Sequence, residues 1–341
     1  MVRNRKPSSP RPTDGTIVDF RIDFICDKVI MDDKTRTIWS RLIPDPRRFE
    51  WIKKNGTDYL YDKKDKVIID RQTADEMMKQ LSGIPIHYQP RRIDDMGKYL
   101  LSRKSSVEAG LMGVPETAPL SDPSAEFLNG IQADQHAFAV MCIDLAGSTK
   151  LSQSLEQIKY SRTISTLLSE LSAIAYIYQG HVLKYTGDGL IAYYPEPCLT
   201  NMCDLALDCA CVMKSFVAHI FNPVCAANEL IPVQVRIGID AGTAVITTLG
   251  NAATKRQKDL IGTTINIASK VQSLGSPGDV LVGEAANRIL HTMWREGLTE
   301  CHLPDNWQYR NESGQPYAVY RLKNEFSPIL IPDSSARSQS A

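Results

Sequence analysis

The sequence predicts an α+β fold, a mixed sheet of ferredoxin-like character with helices packed on it, preceded by a small α+β module. Three observations predict it. After His136, apolar runs alternate with long amphipathic segments but keep no strict βαβ beat. Before that, residues 102–133 turn to Ser, Pro, Gly and Thr, with Val114-Pro115, Ala118-Pro119 and Asp122-Pro123, the composition of a connection between domains. Earlier still, residues 15–101 carry strand and turn signals of their own. At about 150 residues per domain, 341 residues leave room for two.

The elements follow in order. Residues 1–14, with Arg3, Arg5, Lys6 and Arg11 among prolines and serines, read as a disordered tail, and 326–341 read likewise. From Ile17, Val18, Phe20, Ile22 and Phe24 alternate with Asp19, Arg21 and Asp23, the period of a half-buried strand. Asn55-Gly56 is a hairpin turn; Tyr59–Tyr61 and Val67–Ile69 flank a charged turn, and Thr73 caps a helix ending near Gly83. No chemistry is legible in this module. The second domain, 134–325, opens with a buried strand at Ala137–Ile143, a helical period over Thr149–Tyr178 and a strand-turn-strand over His181–Tyr194. A helix over Leu205–Phe221 precedes an expected hairpin, Val233–Ile239 and Thr243–Leu249, turning at Asp240-Ala241-Gly242. Helices at Thr264–Leu274 and Ala285–Leu290 and strands at Val280–Val282 and Tyr317–Leu322 complete it.

Composition excludes several function classes. Thirty-nine Lys+Arg balance 39 Asp+Glu, so no global field favours nucleic acid or anionic lipid, and neither is expected as a partner. No run reaches the roughly 18 uninterrupted apolar residues of a membrane span, and the N-terminus lacks a signal-peptide core, so a cytoplasmic protein is expected. The eight cysteines form no CxxC pair; Cys203, Cys209 and Cys211 share one helix without zinc-finger spacing and read, like the rest, as buried thiols. The histidines have no ligand spacing, and packing is the simpler reading.

Two aspartates stand where a strand stops and glycine begins: Asp144 in Ile143-Asp-Leu-Ala-Gly-Ser-Thr149, and Asp188 in Lys184-Tyr-Thr-Gly-Asp-Gly189. If those strands pair, the carboxylates converge on one edge and suit a hard cation, which takes oxygen ligands and leaves positions for phosphate. Gly147, Ser148 and Thr149 follow directly, and small residues at a helix start let backbone N–H groups approach an anion. No P-loop, GxxxxGK[ST], occurs.

These two blocks, followed by Val235-Arg-Ile-Gly-Ile-Asp-Ala-Gly242 and Asp259-Leu-Ile-Gly-Thr-Thr-Ile-Asn-Ile-Ala-Ser-Lys270, closely resemble the class III adenylate and guanylate cyclase catalytic domain. The resemblance implies a ferredoxin-like domain working as a head-to-tail homodimer with interfacial sites for a nucleoside triphosphate and two Mg²⁺ or Mn²⁺ ions. On it, Asp144 and Asp188 are metal ligands and Leu145 adds a backbone carbonyl. Lys184 and Asp259 match the purine-selecting pair of adenylate cyclases, and Asn266 the residue that positions the ribose. Lys270 stands where the family usually has a transition-state arginine, keeping the charge and losing the bidentate fork. Arg310 is the one cation available for a further phosphate contact before the last strand. The implied activity is ATP to 3′,5′-cyclic AMP and pyrophosphate; guanylate or pyrimidine (UTP or CTP) cyclases, and a silent nucleotide-binding regulator, are the alternatives.

Overall fold

The computed structural model describes residues 22–32, 37–63, 65–81, 95–114, 122–131, 135–195, 202–251 and 253–323. The expected tails at 1–14 and 326–341, and the start of the first strand at 17–21, lie outside the described residues. The chain divides into two compact units, Met1–Ile86 and His87–Ala341, rather than across 102–133.

In the first unit β1 (Phe24–Asp32) and β2 (Thr37–Pro44) pair antiparallel, and β3 (Phe49–Lys54), β4 (Thr57–Asp62) and β5 (Val67–Asp70) form a meander followed by α1 (Arg71–Leu81). Asn55 and Gly56 both take positive φ, 51° and 80°, as a tight hairpin turn requires. Asp70, not Thr73, caps α1: its carboxylate accepts from the Thr73 amide and hydroxyl at 3.0 and 2.6 Å, because aspartate at the strand end reaches the first free N–H groups. Phe49, Leu60 and Ile69 make a small core. Beside it the buried Arg48 answers Asp62 at 2.6 Å and Asp23 at 3.1 Å.

The second unit begins with α2 (Met96–Ser102), at the end of the expected first module, and with α3 (Lys104–Met112) and α4 (Pro123–Gly130), helices in the stretch whose composition predicts a connection. The Asp122-Pro123 pair that reads as a breaker is a start signal: Asp122 accepts from the Ala125 amide and Pro123 occupies the first turn of α4, while Asp95 caps α2 by accepting from the Lys98 amide. Then come β6 (Gln135–Ala146), α5 (Ser148–Ser154), α6 (Gln157–Ile177), β7 (His181–Tyr185), β8 (Leu190–Pro195), α7 (Met202–Phe216), a π turn (Val217–Phe221) and α8 (Asn222–Ala227). The chain closes with β9 (Gln234–Asn251), β10 (Lys255–Ile261), α9 (Thr263–Ser273), β11 (Val280–Gly283), α10 (Glu284–Ile289), α11 (Thr292–Glu296), β12 (Leu298–Glu300) and β13 (Val319–Leu322). The strands form one sheet in the order β12-β13-β11-β9-β6-β8-β7, with β10 paired to the far half of β9, the α+β architecture the sequence predicts.

Period-two alternation sorts the two faces. Ala139, Met141, Ile143 and Leu145 of β6 pack with Leu167 and Leu171 of α6 and with the apolar α7. The helical run Met202–Ala227 is long and apolar enough to cross a membrane, but 61% of its most apolar window is buried, as in a core helix. Cys203, Cys209, Cys211 and Cys225 are buried in this layer, and burial pushes the Cys211 and Cys225 thiols up to about 12, so they stay protonated and apolar in character. Phe138, Val140 and Cys142 face the other way, toward Leu128 of α4 and Ile265 and Ala268 of α9.

The expected hairpin at Asp240-Ala241-Gly242 is instead the middle of one continuous strand, β9. Its glycines serve close packing: a Cβ at Gly238 would strike the Gln272 backbone, and one at Gly242 the Thr264 hydroxyl, both on α9. The turn comes later, near Gly250, whose φ of 94° only glycine adopts readily. Asp240 is therefore a buried strand residue, 1% exposed, and its carboxylate accepts from the Tyr317 hydroxyl at 2.8 Å and the Ala286 amide at 3.3 Å.

Burial pushes the Asp240 carboxyl up to about 7, against the lowering effect of these hydrogen bonds and with a smaller contribution from Glu284. Its folded value lies above the ordinary 3.8, so between about pH 4 and pH 7 the folded protein keeps a proton that the unfolded chain has released. Stability therefore falls as pH rises through that window. Asp240→Asn is expected to flatten that dependence and to raise the urea midpoint relative to wild type at about pH 8; an unchanged pH slope would mean that Asp240 ionises normally.

Candidate active site

Two of the expected site residues, Asp144 of β6 and Lys184 of β7, lie by strand register on the face of the sheet that carries α9, and Asn266 and Lys270 lie on α9 itself. Asp144 follows Phe138, Val140 and Cys142 in the β6 alternation, and its register partner on β9 is Arg236. The two form a cross-strand ion pair through Arg236 Nη2 and Asp144 Oδ2, each side chain a little under one-third exposed. Leu145, next in β6, is buried and pairs with Val235. Asp188 lies in the β7–β8 turn. Gly189 brings that turn against β6, since a Cβ there would collide with the Ile143 carbonyl and crowd the Asp144 backbone. The approach of the Asp188 turn to the Asp144 strand thus has a backbone cause.

Gly147 takes φ of 76° and starts α5, a helix of seven residues. Ser148 and Thr149 share with Gly187, Asp188, Tyr160 and Arg162 a cleft of about 1070 Å³. Burial and the charge of Asp188 both raise the Tyr160 phenol. Hydroxyls, a guanidinium and a carboxylate around an open cleft suit a polyanion accompanied by a cation.

Lys184 and Asp259 form an ion pair at 2.7 Å between β7 and β10. Asp259 is 6% exposed, and its second oxygen accepts from the Leu260 amide at 2.8 Å, so the carboxylate is aimed at the lysine. A β-bulge makes this possible. His181 pairs with Tyr193, and Lys184 with Ile191, one residue out of register around Leu183. Tyr193 and Ile191 both belong to the layer under α9, so the extra residue turns Lys184 onto that face, where regular alternation would put it on the other.

Asn266 and Lys270 are exposed one turn apart on α9, while Thr264, Ile265, Ala268 and Val271 bury the opposite side. Arg310 is exposed on the excursion between β12 and β13, which packs under α9 through Trp307, Val271 and Leu281. Among the described residues the side chains of Asn266, Lys270 and Arg310 make no hydrogen bond, and no bond ties them to Asp144 or Asp188. The structure thus sets the Asp188 turn against the strand that carries Asp144 and Leu145, and separately pairs Lys184 with Asp259. The polar face of α9 is left open within one chain.

Arg236, Asp240 and the α4 residues escaped sequence reading. Arg236 had a signal, as the one cation in Val235-Arg-Ile-Gly-Ile239, but its meaning depends on knowing that β9 runs antiparallel to β6.

A putative adenylate cyclase 3 of Rhizobium meliloti (strain 1021) is 23% identical to this chain over 172 residues, 49% of this chain and 25% of that protein. A cytidylate cyclase of Staphylococcus aureus is 26% identical over 154 residues, 43% of this chain and 36% of that protein. The chain thus spans about a quarter to a third of the length of these relatives. Among solved structures, the adenylyl cyclase CyaB from P. aeruginosa aligns at 20% identity and a TM-score of 0.49, over 59% of this chain and 100% of that one. The family model for the adenylate and guanylate cyclase catalytic domain matches residues 132–311, more than half of the sequence, and the chain belongs to that family.

Proposed function

We propose that the chain converts ATP to 3′,5′-cyclic AMP and pyrophosphate at a site shared between two copies. The observation that carries the base assignment is the Lys184–Asp259 pair, a donor beside an oriented acceptor at 2.7 Å. Adenine offers an acceptor, N1, beside a donor, its exocyclic amine, and so complements the pair; guanine offers N1–H beside O6, the reverse. Cytosine, with N3 beside its amine, has the same order as adenine, and uracil the order of guanine. The pair therefore favours adenine and cytosine over guanine and uracil, and does not by itself disfavour a pyrimidine. A second reading, CTP as substrate, has this complementarity and the cytidylate cyclase relative behind it. Ring size, read by the pocket walls, separates the two.

The metal end fits a hard cation by donor chemistry, with two carboxylates at adjoining strand ends and Arg236 engaging only one oxygen of Asp144. Asp144, Asp188 and the Leu145 carbonyl would hold Mg²⁺ or Mn²⁺. When bound, the ions supply charge neutralisation on the triphosphate and a lower pKa for the ribose 3′-hydroxyl. The residues do the rest. Ser148 and Thr149 donate to phosphate oxygens in the cleft, and Arg236 turns from Asp144 to the departing pyrophosphate. Asn266 of the other copy orients the ribose, so that the 3′-oxygen attacks the α-phosphorus in line with the leaving group. Lys270 meets the charge that develops on the α-phosphate, and Arg310 offers a weaker contact.

Asp144→Ala and Asp188→Ala are each expected to abolish cyclic-nucleotide formation while leaving thermal unfolding within a few degrees of wild type, because both residues sit at an open edge outside the core. Near-normal turnover in either would end the metal assignment. Mixing Asp144→Ala with Asn266→Ala is expected to restore part of the activity through one intact composite site, measured in a sample shown to contain mixed dimers. No recovery would place the whole site within one copy.

For the base, the wild type is incubated with ATP, CTP, GTP and UTP in Mn²⁺ and the products are identified by mass. Lys184→Glu with Asp259→Cys is expected to lower discrimination against GTP by about ten- to a hundredfold, since mismatched buried polar groups cost about 1–3 kcal/mol each. A wild type that prefers GTP or UTP would mean that this pair does not read the base.

A further inference from the structure

Helix α4 touches both strands that supply the base-reading pair. On the β7–β8 hairpin, the Ser124 hydroxyl accepts from the Val182 amide at 3.0 Å, and the Ser124 carbonyl accepts from the Tyr193 hydroxyl at 3.0 Å. Phe127 stacks on His181, with ring centroids 3.9 Å apart and planes 16° from parallel. On the other side, Lys258 Nζ donates to the Asn129 carbonyl at 3.2 Å. Val182 opens the bulge that aims Lys184, and Lys258 precedes Asp259. The contacts to Val182, His181 and Lys258 therefore land within one to three residues of a member of the pair, and Tyr193 is the register partner of His181 on β8.

The sheet leaves this job undone. β7 is its edge strand and β10 pairs only with β9, so among the described residues no ladder joins β7 to β10. A cavity of about 460 Å³, lined in part by Leu128, Val182, Leu183 and Gln257, lies between α4 and the two strands. Leu128 anchors the helix in the layer under α9, and the contacts of Ser124, Phe127 and Asn129 set how it meets the two strands. Asp122 and Pro123 fix where its first turn starts, and so where Ser124 presents its hydroxyl.

We propose that α4 is a positioning element for base recognition: it clasps β7 to β10, setting the distance and direction of the Lys184–Asp259 pair through Ser124 and Phe127. The proposal rests on the reading that this pair meets the base. Neither residue reaches the substrate; both act through the strands they hold. A loosened clasp lets Lys184 drift from Asp259, and a pair that is no longer fixed accepts mismatched bases at little extra cost.

The test uses the full chain with Phe127→Ala and Ser124→Ala, beside Phe127→Tyr and Ser124→Thr, which keep the ring and the hydroxyl. Dissociation constants for the α,β-methylene analogues of ATP, CTP, GTP and UTP give selectivity without turnover, and kcat and KM are measured in parallel. The alanine variants are expected to weaken the preferred nucleotide about fivefold and to narrow its margin over GTP by a similar factor, with kcat within about twofold of wild type. The Tyr and Thr variants are expected to restore wild-type margins. Unchanged margins in both alanine variants, or a uniform loss across all four nucleotides, would overturn the proposal. Lys184→Glu with Asp259→Cys, run alongside, separates the failures. If it alters the margins while the α4 variants do not, the base reading stands and the clasp is wrong; if it leaves them intact, both fall.

Discussion

Twelve consecutive residue pairs join β6 to β9 antiparallel, from Gln135 opposite Val245 to Ala146 opposite Gln234, and the rest of the site depends on that register. Because side chains alternate with period two, the register decides at once which residues meet α6 and α7 and which meet α9. It sets Asp144 against Arg236. It also presents Gly238 and Gly242 to α9, so that the helix lies on the strand with no side chain between. A slip by one residue would bury Asp144 among Met141, Ile143 and Leu145 partners and expose the core of the opposite layer. With both faces covered, such a slip has no low-energy alternative.

From that ladder the site is assembled by close backbone approaches more than by side-chain packing. Gly189 lets the Asp188 turn press on β6, Gly238 and Gly242 seat the helix that carries Asn266 and Lys270, and the bulge at Leu183 turns Lys184 to the same face. Polar residues at strand ends and on an outer helix face contribute little to the core, so their identity is free to follow chemistry. The converse holds for Asp240. Buried at mid-strand, it spends its hydrogen bonds on Tyr317 and the start of α10, tying the excursion before β13 to the sheet.

Much of this was legible in the sequence, and the unread part has a physical pattern. Alternation and helical period expose the main strands and helices of the second unit, and glycine marks the close approach of the Asp188 turn to the strand that carries Asp144, since local chemistry fixes both. The Val233–Leu249 segment was misread as a hairpin because Asp-Ala-Gly is a turn signal in isolation. Only the helix lying on its glycines and the Tyr317 hydroxyl on its carboxylate make it a strand. The helices in 95–131 were missed for a related reason, as short capped helices and linkers draw on the same Asp, Ser and Pro. Arg236 and Ser124 act only through partners 92 and 58 residues away in sequence, and no local pattern encodes such distances.

Charge ties the two ends of the proposed site together. Within one chain Asp144 is already neutralised by Arg236, while Lys270 and Arg310 are exposed and have no anionic partner among the described residues. The isolated chain is thus electrostatically complete where the cation would bind and incomplete where the α-phosphate would lie. On the proposed function a nucleoside triphosphate with its metal ions would reverse both conditions: Asp144 would turn to the cation and Arg236 to phosphate, and Lys270 would gain an anionic partner. In that proposed role Lys270 would act as a single mobile ammonium able to follow charge toward the leaving group, whereas a guanidinium fork would fix one geometry. What lysine gives up is direction. That would put the demand for orientation on the groups proposed to hold the base and ribose, Lys184, Asp259 and Asn266, and so on the strands and helices that hold those groups in turn.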